Sequence, residues 1–265
     1  MKTIIFDGRL FAAEKEASLG IRVLGLKARG IYPKLASILV GDDPASELYV
    51  NLKKRAAEKI GAEVDIYLIP KITKVDDVVL LIDTLNVDPN VHGIMVQLPL
   101  PENFSKYKDR IIEAIDPKKD VDGLLPDSEF IHPTSKAVID ILKFAEKGLG
   151  VEPKTVCVVG ATGMVGTPLV KELKVEGYNV ISANAQTKNL SGLISKAEVV
   201  ISATGVPGLI TKDMVKSGAI VIDVGSPKGD VEVGASDIAS FITPVPGGVG
   251  PVTISSLLEN LVSAC

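Results

Sequence analysis

From Leu35 onward, short apolar runs alternate with segments whose apolar residues recur at helical spacing. That alternation predicts βα units and largely parallel sheets. In a first series, strands are predicted at 35–41, 63–69 and 93–98, with helices at 46–60, 75–85 and 105–115. A polar turn, Pro117-Lys118-Lys119-Asp120, and an irregular stretch to Pro133 close that series. A second series opens with a helix over 136–147 and continues through strands at 155–160, 179–183, 199–203 and 219–224. A Pro/Gly-rich loop, 243–251, leads into a last amphipathic helix over 252–263. No internal repeat is visible. The pattern predicts two α/β domains with a cleft between them. The first spans 1–134 and the second, a Rossmann-like domain, 135–251.

Composition narrows the classes of function. The 265 residues are 46% hydrophobic and 23% charged, enough for packed cores in two domains of ordinary size. There is no Trp and only 4% aromatic residues, which argues against an aromatic platform for nucleic acid. A net charge of −4 leaves no electrostatic footprint for DNA, RNA or an anionic membrane, so neither partner is expected. Two cysteines make neither a disulfide framework nor a metal cluster, and no metal is expected. The N-terminal stretch Met1–Asp7 lacks a signal-type apolar region, and a cytoplasmic protein is the expectation.

Chemistry first shows on the helix after the first strand. It opens with Asp43-Pro44, a capping residue followed by proline at the first helical position. A helical wheel sets Leu48, Val50, Leu52, Ala56, Ala57 and Ile60 on one broad arc, with Glu47, Asn51, Lys54, Arg55 and Glu58 opposite. Lys53 falls within the apolar arc, and Ser46, Tyr49 and Lys53 form one polar stripe there. Such a lysine either snorkels to water along its stem or serves as an acid/base, because desolvation disfavours its ammonium form. Two more polar groups end elements of the same half. Gln97 interrupts the apolar strand before Leu98-Pro99, where a parallel sheet binds ligands. Asp120-Val121-Asp122-Gly123 lacks the glycine and closing glutamate of a calcium loop and reads as an Asx turn.

In the second half, Thr155-Val-Cys-Val-Val-Gly160 runs into Ala161-Thr162-Gly163-Met164-Val165-Gly166 and a helix. Glycines at 160, 163 and 166 allow a tight turn, close phosphate approach and close helix–strand packing. Ala203-Thr204-Gly205 and Val224-Gly225-Ser226 end later strands, where a dinucleotide's ribose and nicotinamide lie in such folds. Glycine-rich turns also occur without nucleotides, and here the repeated βα units favour the nucleotide. The stiff loop from Thr243 to Pro251 either connects two elements or closes over a cleft.

Taken together, these motifs resemble the bifunctional methylenetetrahydrofolate dehydrogenase/cyclohydrolase family over nearly the whole chain. The resemblance rests on Val40-Gly41-Asp42-Asp43-Pro44-Ala45-Ser46 with Tyr49 and Lys53, on Val96-Gln97-Leu98-Pro99-Leu100-Pro101, and on Lys119-Asp120-Val121-Asp122-Gly123. It continues through Val159-Gly160, Met164-Val165-Gly166-Thr167-Pro168, Ile222-Asp223-Val224-Gly225 and Ile242 to Thr253. It implies oxidation of 5,10-methylenetetrahydrofolate with NADP, then hydrolysis of the methenyl form to 10-formyltetrahydrofolate, by a homodimer. The alternative is a monofunctional NAD-dependent dehydrogenase.

The resemblance also implies that the C-terminal helix, 252–265, completes the first domain, and it implies roles for individual residues. Lys53 is the catalytic acid/base, Gln97 bonds it, Tyr49 stacks on the folate and Asp122 binds the pterin. Ser46, Leu98, Pro99, Pro246, Gly247, Gly248 and Gly250 border the folate. Gly160, Ala161, Thr162, Val165, Gly166, Asn184, Ala185, Thr187, Thr204, Gly205, Gly225 and Ser226 hold the dinucleotide. With His92 and His132 the only histidines, a histidine triad or metal site is not expected. Four departures stand out. Ala161-Thr162 replaces the family's usual Arg-Ser, and Asn184-Ala185 its usual His-Ser. The segment between Gly123 and Thr134 is short, and a Pro-Cys-Thr-Pro motif is reduced to Pro133-Thr134-Ser135.

Overall fold

The computed structural model describes residues 2–265. Its elements run β1 (Ile4–Ile5), α1 (Gly8–Lys27), β2 (Lys34–Val40), α2 (Pro44–Ile60), β3 (Glu63–Ile69), α3 (Val75–Val87), β4 (Gly93–Val96), α4 (Glu102–Ser105) and α5 (Lys108–Glu113). There follow α6 (Pro133–Leu149), β5 (Thr155–Val159), α7 (Gly166–Val175), β6 (Asn179–Ala183), α8 (Leu190–Ile194), β7 (Val199–Ser202), β8 (Ile220–Asp223), β9 (Phe241–Ile242) and α9 (Val249–Ser263). No helix among the described residues is long and apolar enough to cross a membrane.

The chain forms two compact units. One comprises 13–133 with Ile254–Cys265, the other Thr134–Thr253 with the N-terminal residues up to Ala12. This differs from the boundary read from sequence, which assigned those N-terminal residues to the first domain. Their placement has a plain cause. The strand β1 pairs in parallel with β9, Ile4 opposite Phe241 and Ile5 opposite Ile242. Phe6 then packs against Phe144 and Phe241, and Phe11 against Phe144, with ring centroids 5.5–5.6 Å apart.

In the 13–133 unit, β2 lies between β3 and β4, and all three strands are parallel. Every residue of β4 and all but the first of β2 are buried, which explains their continuous apolar runs. Leu19, Val23 and Leu26 of α1 and Leu257, Leu258 and Leu261 of α9 join one core with Leu35, Ala57 and Met95. A second core joins Ile38, Val40, Ile94 and Val96 to Val78 and Ile82 of α3 and to Phe104 and Ile111. In the other unit six parallel strands lie in the order β1-β9-β8-β7-β5-β6.

Several predicted bounds shift. The single helix expected over 105–115 is two short ones, α4 and α5, because the chain tightens between them. Phe104 N–H bonds the Pro101 carbonyl and Tyr107 N–H bonds the Phe104 carbonyl, three residues back each time. The helix α9 begins at Val249, inside the stretch read as loop. Pro251 sits in its first turn, where no backbone N–H is needed. On α2 the wheel assigned two leucines wrongly: Leu48 and Leu52 are 59% and 38% exposed. Its buried face is Ser46, Val50, Ala56, Ala57 and Ile60.

Candidate functional site

The lysine stripe is set by how α2 starts. Asp43 accepts a hydrogen bond from Ser46 N–H at 2.8 Å, Pro44 follows, and Gly61 closes the helix at φ +83°. With Ser46 fixed inward, Lys53 lies two turns on and close to the same azimuth, between buried Val50 and Ala57. Its Nζ donates to Gln97 Oε1 at 3.0 Å and lies 3.6 Å from Met95 Sδ. Gln97 is oriented from its other end: its Nε2 donates to the Leu98 carbonyl at 2.7 Å, which turns Oε1 to the lysine. Its backbone N–H extends the β2–β4 pairing to Ile38 O. The pair therefore sits beside the point where strand order reverses around β2, where open α/β sheets bind ligands. Burial pushes the Lys53 amine below its ordinary value, and the Asp122 carboxylate opposes that shift.

Of the other residues predicted here, Ser46 is buried and Tyr49 is 43% exposed. Leu98-Pro99 is a cis peptide. A pocket of about 690 Å³ opens beyond Pro99, lined also by Asp42, Asp43, Lys71 and Asn103; Lys53 is not in its wall. Lys71 pairs with Asp42 there.

Sequence reasoning passed over two residues flanking Asp122. Asp120 is fully buried; Leu125 N–H donates to its Oδ2 at 2.8 Å, while Oδ1 has no partner. Burial pushes this carboxyl up to about 6. His132 is 7% exposed, and its Nδ1 is buried without a hydrogen-bond partner. The loop holds His132 against Gly123, at φ +61°, where an added Cβ would fall 2.6 Å from His132 N. Asn260 of α9 ties the two strands of this loop, donating to Val121 O and Ile131 O, both at 2.9 Å. The available signal was a pair of ionisable residues in a short irregular stretch, which no periodicity picks out.

In the second unit, the glycine turn follows β5 and the Thr204–Gly205 turn follows β7, neighbouring strands at which the order again reverses. Gly160, at φ +87°, and Ala161 both donate to Ala183 O, at 2.9 and 3.0 Å. A Cβ on Gly160 would lie 2.4 Å from Ala203 O, and one on Gly166 2.0 Å from Gly160 O. Gly163 is less constrained, at 3.3 Å. Only glycine keeps this turn tight enough for backbone N–H groups to approach a phosphate, so the cradle fits a dinucleotide. Thr162 is exposed and Ala161 buried. After β6, Thr187 Oγ1 accepts from Asn184 N–H and Asn184 Oδ1 accepts from Gln186 N–H, both at 2.9 Å. This leaves the Asn184 amide N–H groups and the Thr187 hydroxyl hydrogen to donate, with Ala185 exposed beside them.

Two buried aspartates shape the later turns: Asp223, which the sequence reading named in a motif without giving it a role, and Asp230, which it did not name. Asp230 Oδ2 accepts from Ser202 and Thr204 hydroxyls and from Thr204 N–H at 2.7–2.9 Å, with Gly205 N–H at 3.3 Å. Asp223 accepts from Gly225, Asp230 and Val231 N–H groups. Gly225 is packed so closely that a Cβ would meet Asp230 Oδ1 at 2.6 Å. Ser226 precedes a cis proline, Val165 is half-buried, and Pro246 follows Val245 in a cis bond. Gly247 is at φ +99°, Gly248 is buried and Gly250 exposed, the latter already in α9.

A family model described as "Tetrahydrofolate dehydrogenase/cyclohydrolase, catalytic domain" matches residues 6–122. A second, described as its "NAD(P)-binding domain", matches 132–265. The chain belongs to the tetrahydrofolate dehydrogenase/cyclohydrolase family. Among members of this family, Bifunctional protein FolD of Lactobacillus helveticus is 43% identical, over 97% of this chain and 96% of its own. A crystal structure of the bifunctional FolD dehydrogenase/cyclohydrolase of Campylobacter jejuni superimposes at TM-score 0.93 with 40% identity, covering 99% and 98% of the two chains. The Trypanosoma brucei dehydrogenase-cyclohydrolase, solved with NADP cofactor and an inhibitor, gives TM-score 0.91 and 32% identity over 100% and 97%.

Proposed function

We propose that this member of the tetrahydrofolate dehydrogenase/cyclohydrolase family oxidises 5,10-methylenetetrahydrofolate and hydrolyses the methenyl product to 10-formyltetrahydrofolate, with NADP as the preferred dinucleotide. The observation that carries the reading is the contact between Lys53 Nζ and Gln97 Oε1, 3.0 Å, in a setting that disfavours the ammonium form. When bound, the nicotinamide supplies the acceptor for the hydride. That step asks no proton of the protein, since the flanking nitrogens of the folate stabilise the cation left behind. The hydrolysis does. Water adds to the methenyl carbon, and Lys53 takes its proton and returns it to the ring nitrogen that departs. Gln97 holds the amine by a neutral oxygen rather than a carboxylate, so the lysine is oriented without being locked in its charged form. Asp122 binds the pterin, and Tyr49 and Pro99 flank it. A dehydrogenase confined to the first step would have no use for this lysine–glutamine pair, which favours the bifunctional reading over an NAD-dependent monofunctional one.

The preference for NADP follows from the turn after β6. An NAD site usually carries an acidic residue there to bind the ribose diol and repel a 2′-phosphate. This chain has Asn184-Ala185-Gln186-Thr187-Lys188, without an acid, and donors remain on Asn184 and Thr187. Ala161 carries no charge, so discrimination is weaker than an arginine would give; charged hydrogen bonds are roughly twice as strong as neutral ones. The test is to mix purified protein with methylenetetrahydrofolate and NADP or NAD and follow the methenyl absorbance. Formation and decay of that band with a kcat/KM favouring NADP is expected. A ratio favouring NAD overturns the cofactor preference, and a methenyl band that never decays faster than without enzyme overturns the second activity.

A further inference from the structure

The turn that follows β7 engages all of its hydrogen-bond donors within the fold. Ala203 N–H donates to Val159 O at 2.9 Å. Thr204 N–H, the Thr204 hydroxyl and Gly205 N–H all donate to one oxygen, Asp230 Oδ2, at 2.7, 2.8 and 3.3 Å. Val206 N–H in turn donates to Thr204 Oγ1 at 3.2 Å. The same carboxylate oxygen takes the Ser202 hydroxyl from inside the sheet at 2.9 Å, and Ser202 and Asp230 are both fully buried. Asp230 is itself anchored to the end of β8, since its N–H donates to Asp223 Oδ1 at 3.0 Å. Its other oxygen has no polar partner and faces Gly225, where a Cβ would stand 2.6 Å away. Across the point where the strand order reverses, the glycine turn is the opposite case. Gly160 packs on Ala203, yet Thr162, Met164 and Val165 have N–H groups that no hydrogen bond takes up among the described residues.

We propose that Asp230 is a positioning residue of the dinucleotide site: its carboxylate holds the Thr204–Gly205 turn as a preset surface, and the hydrogen bonds to the phosphates come from the glycine turn opposite. The inference rests on the reading of these two turns as walls of the dinucleotide site. One oxygen serving four donors ties three pieces of chain together: the end of β7, the turn beyond it and the segment that returns from β8. A carboxylate suits that task, because it only accepts and its hydrogen bonds are roughly twice as strong as neutral ones. Without it, two backbone N–H groups and the Thr204 hydroxyl would turn to water or to the ligand, and the turn would lose its single shape. Thr204 thus meets the dinucleotide by shape, its hydroxyl being committed to Asp230.

The experiment titrates NADPH fluorescence with the wild type, Asp230→Asn, Thr204→Val, Thr204→Ser and the double variant combining Asp230→Asn with Thr204→Val. Methenyl hydrolysis and Tm are measured in parallel. Asp230→Asn keeps the shape of the side chain and removes its charge. It weakens the dinucleotide roughly ten- to hundredfold, the share of a hydrogen bond to a charged group. Thr204→Val, which keeps the shape and removes the hydroxyl, weakens it in the same direction, and Thr204→Ser restores the affinity. The two losses do not multiply, because both variants break one linkage. Methenyl hydrolysis, which uses no dinucleotide, stays at the wild-type rate in all of them. Wild-type affinity in Asp230→Asn overturns the proposal. So do losses that multiply, which would give the Thr204 hydroxyl a bond of its own to the dinucleotide. A fall in hydrolysis and Tm that matches the loss of affinity overturns it too, as the mark of a carboxylate that only holds the fold. Gly166→Ala separates this inference from the reading beneath it. If that variant and Asp230→Asn both bind NADPH as the wild type does, the placement of the dinucleotide fails and the inference with it. If only Gly166→Ala weakens binding, the inference alone fails. Should Asp230→Asn not fold, Ser202→Ala takes its place in the cycle, since it loosens the same Oδ2 oxygen from within the sheet. Losses that then multiply, or no loss at all, overturn the proposal.

Discussion

At the scale of single residues, the lysine site depends on one amine kept from water and one amide turned the right way. Both were visible along the chain as polar residues in apolar company: Lys53 on a helical arc, Gln97 at the end of an apolar strand. Their contact was not visible, because it depends on Nε2 of Gln97 being taken by the Leu98 carbonyl. Asp120, His132 and Asp230 were illegible for a different reason. They sit in irregular segments, where polar residues are the norm and burial leaves no periodic mark. The reading of Lys53 predicts that Lys53→Met, which keeps the stem and removes the proton carrier, leaves the fold intact and slows methenyl hydrolysis by about 10²–10⁴-fold, the usual share of acid/base help. Circular dichroism and decay of the methenyl band check both halves. Wild-type hydrolysis by the variant would remove the lysine from the mechanism.

At the scale of elements, the strands of four residues or more and most helices between them were readable, because burial on both faces makes central parallel strands continuous apolar runs. The helix α1 was not. Its inward residues, Leu19, Val23 and Leu26, are interleaved with Leu10, Ile21 and Leu24, which are 59%, 73% and 69% exposed. The hydrophobic period is blurred as a result. Strands β1 and β9, two residues each, are too short to show any period. The glycine turn ahead of α7 supplies a prediction of its own. Gly166→Ala places a methyl where Gly160 O now stands, so the turn must open. Dinucleotide affinity, measured by fluorescence titration, should drop by tenfold or more, about 1.4 kcal/mol, while the lysine unit keeps its methenyl hydrolysis. Unchanged dinucleotide binding would show that the turn has slack that its packing does not suggest.

For the molecule as a whole, the buried carboxyl of Asp120 links stability to pH. Its pKa is raised to about 6 in the folded protein from 3.8 in the unfolded chain, so the folded state holds a proton that the unfolded chain has released between those values. Its contribution is fully present below about 4 and is lost as the pH rises through about 6, a swing on the order of 3 kcal/mol at most. Asp120→Asn keeps an oxygen for Leu125 N–H and cannot ionise. The variant should therefore raise Tm at neutral pH and show a flatter dependence of Tm between about pH 4 and about pH 6. Thermal melts of both proteins across that interval decide the point, and parallel curves would place the pH dependence elsewhere.

The division of the chain carries a consequence for its birth on the ribosome. Neither unit is a single stretch: the chain passes between them at 12–13, 133–134 and 253–254. The first sheet, β2 to β4, is synthesised early, yet the core that covers one of its faces needs Leu257, Leu258 and Leu261. Those residues are translated only after every strand of the other unit. The edge strand β1 likewise waits for β9, more than two hundred residues later. A nascent chain shorter than about 240 residues thus has both cores open at once, and at ordinary synthesis rates of about 5–20 residues per second it stays so for many seconds. For this protein, exposure to chaperones and proteases during translation is built into the order in which its segments are made.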